Sequence, residues 1–171
     1  QVQFTVRHGL FGDENDGIVS IGGSILFMPH EDDDGDPQRE ATVGSVNGFV
    51  IKNEEGVDLF GQCDAHSQTL LDVVSVLFDP ETNELLEDVD RALAGVIASS
   101  VLVLDLVEVV PEHRGHGVGL AAASRFLETF SGGCGIAIGK PFPLQFDCSR
   151  RDNAVWMEQL KMASFAQNED T

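Results

Sequence analysis

The run Val101-Leu-Val-Leu-Asp-Leu-Val-Glu-Val-Val-Pro-Glu-His-Arg-Gly-His-Gly-Val-Gly119 decides the fold. Eight of its first ten residues are Val or Leu, broken only by Asp105 and Glu108. A continuous apolar run suits a strand whose sheet is covered on both faces. Pro111 cannot continue a ladder and ends the strand. Arg114 follows, then glycines at alternate positions, Gly115, Gly117 and Gly119. Glycine lets the backbone turn sharply and approach a ligand closely. The helix expected next brings orphan N–H donors and partial positive charge to its first turn. Strand, glycine turn and helix together make a cradle for a phosphate or pyrophosphate, and Arg114 adds a fixed cation. A P-loop is excluded, because no Gly-Lys-Ser/Thr occurs. The spacing is also not the G-x-G-x-x-G of a dinucleotide fold, and it falls late in the chain.

Downstream, Val118–Phe130 reads as a helix with Leu120, Ala123, Leu127 and Phe130 on one face, ended by Ser131-Gly132-Gly133. Gly135–Gly139 reads as a short strand, so Val101–Gly139 forms a parallel, right-handed β-α-β unit. Pro141 and Pro143 then make a shaped loop or sheet edge, and Asn153–Ala166 is a candidate last helix. Upstream, Gln1–Val6, Ile18–Met28 and Ala41–Lys52 are expected as strands of an antiparallel meander, with a bulge or close approach at Gly22-Gly23. Leu70, Val74, Leu77 and Phe78 recur at helical spacing, with Asp64 or Ser67 as cap and Asp79-Pro80 as stop. A second helix fits Glu84–Ile97, with Leu86, Val89, Leu93 and Val96/Ile97 as its stripe.

The chain has 171 residues, 29 acids and 10 bases, for a net charge of −19. Its length and its 42 % hydrophobic content suit one folded domain with a real core. Strong acidity argues against nucleic-acid binding and against an anionic membrane surface. No apolar run approaches a membrane span, and the first residues do not resemble a signal peptide. Only three lysines stand against seven arginines; such an acidic surface is compatible with a high-salt adaptation or with plain solubility. Cys63, Cys134 and Cys148 are odd in number and lack a C-x-x-C pair, as expected for reduced thiols of a cytoplasmic protein.

The segment Val109-Val-Pro-Glu-His-Arg-Gly-His-Gly-Val-Gly119 resembles the acetyl-CoA motif of the GNAT acyltransferase superfamily. The order of elements over residues 1–146 is similar to that fold, while the likeness in sequence is specific over 102–130. The resemblance implies a single α+β domain over 1–171, with an α/β/α three-layer architecture. Its sheet would be mixed and mostly antiparallel, with a parallel β-α-β unit carrying the motif. It implies an N-acetyltransferase that moves the acetyl group of acetyl-CoA to an amine, a small molecule or a peptide N-terminus, by direct attack. The amides of Arg114, Gly115, His116, Gly117, Val118 and Gly119 would hold the pyrophosphate. Val109 and Val110 would border the pantetheine arm and thioester, where the central strand and the next one splay apart. Lys140 or Gln145 would contact the acyl donor or an anionic substrate. Arg114 and Lys140 should form a local basic patch for the CoA polyanion, while the overall negative field favours a cationic amine. No metal is implied, and a homodimer stays open.

Direct attack needs a base, an oxyanion donor and an acid for the thiolate. Glu108, a carboxylate in an apolar strand, is the candidate base, with an expected raised pKa; the competing reading pairs it with Arg114. Asp105, three residues back, falls on the opposite face by simple alternation. The family's usual acid is a tyrosine, and this chain has none. Asn153 and Phe165 match the ends of its N…Y…GF pattern, but Leu160 stands where the tyrosine would be. Cys148, Ser149 or water are the alternative acids. The family's final strands are expected beyond Thr171. A second function class is therefore an acyl-CoA-binding or sensor domain without catalysis, and a third is a glycine loop for some other phosphate ligand.

Three further patterns carry less. His113 and His116 form H-x-x-H but lack a third zinc ligand. Asp32, Asp34 and Asp36 have calcium-loop spacing, but Pro37 and Val43 occupy required positions. Cys63-Asp-Ala-His-Ser67 reads as a helix start rather than a triad.

Overall fold

The computed structural model describes residues 17–27, 41–94, 100–139 and 153–161, and the backbone of 2–9. Strands β1 (Val2–Gly9), β2 (Ile18–Phe27), β3 (Ala41–Lys52), β4 (Ser100–Val109) and β5 (Ile136–Gly139) form one sheet in that order. The first four run antiparallel, and β5 joins β4 in parallel. Helices α1 (Leu59–His66), α2 (Gln68–Leu77) and α3 (Glu87–Leu93) lie between β3 and β4 in the chain. Helix α4 (Val118–Phe130) links β4 to β5, and α5 (Ala154–Gln159) comes last. The protein is thus a mixed α+β fold.

Both sheet faces are covered, as the apolar β4 requires. Val101 and Val103 join Ile18, Ile51, Leu59, Leu70, Val74 and Phe78 under α1 and α2. On the other face Leu102 packs with Ile21, Val46 and Phe126 of α4. Among the described residues, no helix is long and apolar enough to cross a membrane. Cys63 is fully buried, and burial pushes its thiol from 9.0 up to about 11.

Several sequence expectations shift. The bulges lie between Ile25 and Leu26 and between Asn47 and Gly48, whereas Gly22-Gly23 keep regular register. Cys63–Ser67 is the end of a separate helix, α1, capped by Asp58, whose carboxylate accepts from the Gly61 amide at 2.9 Å. Ser67 then caps α2, its hydroxyl accepting from the Leu70 amide at 3.3 Å. Phe78 is extended and bridges Leu85, so the following helix starts only at Glu87. Ala94 in the left-handed region closes it. Helix α4 has its expected bounds, and Leu127 and Phe130 of the expected stripe are half-buried against the core, but the centre of its buried face lies elsewhere. Ala122 and Phe126 point inward, while Leu120 is 74 % exposed. Two apolar stripes share this helix, and the one aligned with Val118 wins because Val118 packs on Ile25 and Val43.

Candidate functional site

The site is built where β4 ends. A register shift makes Asp105 the extra residue of a bulge, because Asn47 pairs with Leu106 and Gly48 with Leu104. Leu104 and Val107, three apart, consequently pack on the same α4 side. The alternation that separated Asp105 from Glu108 is interrupted between them. Val107 and Val109 face α4, so Glu108 between them faces the opposite side of the sheet. There its strand partner is Ser45, whose own partner on β2 is Ser24. Small polar side chains thus lie beside the carboxylate.

Glu108 is not paired with Arg114. Its Oε2 accepts from the Ser45 hydroxyl at 3.1 Å. Its Oε1 accepts from the Trp156 indole N–H at 2.7 Å. Arg114 instead donates from Nε to the Val109 carbonyl at 2.7 Å and from Nη2 to the Leu160 carbonyl at 3.1 Å. The guanidinium expected to face a phosphate therefore braces the loop through two backbone oxygens.

The Val109 backbone has a defined direction. The Val110 amide donates to the Val43 carbonyl at 2.9 Å. That makes 110 and 43 a hydrogen-bonded pair and turns the Val109 N–H and C=O to the other edge of β4. Arg114 reaches the Val109 carbonyl on that edge. Among the described residues, β5 pairs with Val101–Leu104 only. The edge from Leu104 to Val109 thus lies past the described pairing, beside the glycine loop.

The loop starts with a 3₁₀ turn at Pro111–His113. Gly115 and Gly117 then take φ of +77° and +75°, a left-handed conformation that costs an ordinary L-residue about 1–2 kcal/mol. Gly117 is the N-cap of α4, and no side chain caps that end. The first amides of α4 are therefore presented at an exposed turn. Gly119 has a different role. A Cβ there would lie 3.6 Å from Val109 Cγ2 and 3.7 Å from Val107 Cγ1, so the first turn of α4 sits directly over the end of β4.

His113 packs its ring against Phe27, with centroids 5.1 Å apart, while His116 is exposed. Among the described residues, no group of three or more His, Cys, Asp or Glu could hold a metal ion. Lys161 donates to Glu112 at 2.5 Å and holds its carboxyl below the usual carboxylate range. Lys140, Gln145, Cys148, Ser149, Phe165 and the acidic run 31–36 lie outside the described residues. The basic patch expected around Arg114 and Lys140 is accordingly described only at Arg114, whose charge is turned inward.

Ser45, Trp156 and Lys161 belong to the site but were not singled out from the sequence. Antiparallel pairing of β3 with β4 carries the signal for Ser45. Nothing local marks Trp156, which is 48 residues from Glu108. Asn153 caps α5, its side-chain oxygen accepting from the Trp156 amide at 3.0 Å. Leu160 is buried at the foot of that helix. In comparisons with known protein families, curated proteins and solved structures, the chain matches none.

Proposed function

We propose that this chain is an acyl-coenzyme A-dependent N-acyltransferase of the GNAT kind, moving an acetyl group to an amine. The observation that carries the reading is one continuous unit. It comprises the turned-out edge of Val109, the two left-handed glycines, the uncapped start of α4, and Glu108 one residue from that edge. The fit to the donor rests on backbone amides rather than on the Arg114 guanidinium. Acetyl-CoA supplies an acyl group activated as a thioester. Gly115–Leu120 would hold its pyrophosphate through N–H groups. The Val109 N–H would face the carbonyl oxygen on which charge develops. Glu108 would take a proton from the acceptor ammonium, so that the neutral amine attacks. The new N–C bond would form as the C–S bond breaks, and the departing thiolate would take up the proton that the new amide nitrogen loses, directly or through water. Ser24 and Ser45 are small residues in register with Glu108, and the net charge of −19 favours a cationic acceptor.

Calorimetric titration of acetyl-CoA tests the cradle. Asn and Asp both tolerate the left-handed conformation of Gly117 better than other residues do, and they differ by one charge. Gly117→Asn is expected to retain saturable binding. Gly117→Asp is expected to weaken it at least about tenfold by setting a carboxylate against the phosphates. Equal affinities for the two variants would remove the phosphate from this loop.

The second reading is an acyl-CoA-binding domain without catalysis. Leu160, which follows α5 and meets the loop through its carbonyl, has no side-chain proton to give a leaving thiolate. Binding without thiol release across a panel of amines would favour it.

A further inference from the structure

We propose that Trp156 is a positioning residue for Glu108, and that α5 holds it in place by gripping the glycine loop. The proposal rests on the reading of Glu108 as the base. Helix α5 and the two residues that follow it meet the site, among the described residues, at three points. Trp156 donates to Glu108 Oε1 at 2.7 Å. The Leu160 carbonyl accepts from Arg114 at 3.1 Å. Lys161 donates to Glu112 at 2.5 Å. Leu160, the residue that closes α5, is 4 % exposed while Val155 within the helix is 74 % exposed, so this segment has a docked end and a solvent side.

The chemistry of the donor matters. An indole N–H donates and cannot accept, so it orients a carboxylate without competing for the proton that the carboxylate must take. Ser45 holds the other oxygen. Among the described residues, a donor on each oxygen orients the carboxylate plane between β3 and α5. Leu160, which closes the same helix, accepts from Arg114, which is bonded to the Val109 carbonyl. Base and donor edge are thereby set relative to each other through one element, and misplacing either group is costly for a direct transfer.

Trp156 is the sole tryptophan, and the chain has no tyrosine, so its indole gives one resolved side-chain N–H resonance and an uncluttered fluorescence signal. In the full chain, Glu108→Gln is expected to move the indole resonance and speed its exchange with water. Trp156→Phe keeps an aromatic ring and removes the donor. It is expected to lower kcat about tenfold, the size of one hydrogen bond to a charged group, with KM for acetyl-CoA held within about twofold. An indole resonance indifferent to Glu108→Gln overturns the proposal whatever the chain catalyses. So does a responsive indole with wild-type kcat in Trp156→Phe. Absence of any acyl transfer by the unaltered chain overturns the acyltransferase reading and the positioning role with it, while a responsive indole would still establish the contact.

Discussion

Gly48→Ala is expected to destabilise the protein by about 3 kcal/mol, near the upper end of what overpacking a core usually costs. Gly48 sits on β3 at the bulge opposite β4. A methyl group there would overlap the Val103 carbonyl oxygen and stand 2.5 Å from Phe126 Cζ. The ring has some freedom to retreat, but the carbonyl belongs to the backbone of β4, paired on both sides, and does not. Phe126→Leu in the same chain should therefore restore only part of the loss. Urea unfolding followed by circular dichroism checks both variants. A Gly48→Ala protein within about 0.5 kcal/mol of wild type would mean that β3 and β4 are not this close.

Glu108→Gln is expected to reduce kcat by about a hundredfold or more, the usual contribution of a positioned general base. The amide keeps the shape, and its single oxygen can accept from Trp156 while its NH2 turns to the Ser45 hydroxyl oxygen, but it cannot take the ammonium proton. Acetyl-CoA affinity should be unchanged, because the donor is held by backbone groups of the strand edge and glycine loop that this substitution leaves in place. The deficit should also narrow as pH rises and more of the amine is neutral. Steady-state rates with a reactive primary amine, measured across pH, read all three. A kcat equal to wild type at neutral pH would exclude Glu108 as the base.

The fold was most legible where one local pattern had a single solution. The unbroken apolar run of β4 demands two covered faces, and helices lie on both. Pro111 and the alternating glycines placed the start of α4 at Val118. Legibility failed where two patterns competed or where a contact spans the chain. Helix α4 carries two apolar stripes, and neighbouring strands chose between them. Helix α1 buries only Leu59 and Cys63, too few to make a periodic signal. The bulge at Asp105 reverses which residues share a face, and no residue type announces it. Arg114 was visible as a cation, but its use depends on two carbonyls, one of them 46 residues away. The carboxylate of Glu108 stood out in the sequence as a break in an apolar strand end, while its partners on β3 and α5 came from tertiary packing alone.

The most direct test follows the backbone amide resonances of the intact chain as acetyl-CoA is added. Shifts are expected at Gly115–Leu120, and at Val107 and Val109 on the edge of β4, with α1–α3 unmoved. Shifts confined to the loop and matched by inorganic pyrophosphate at equal concentration would contradict acyl-donor recognition and leave a plain phosphate cradle. No saturable shift at either place would contradict the acyl-CoA site itself.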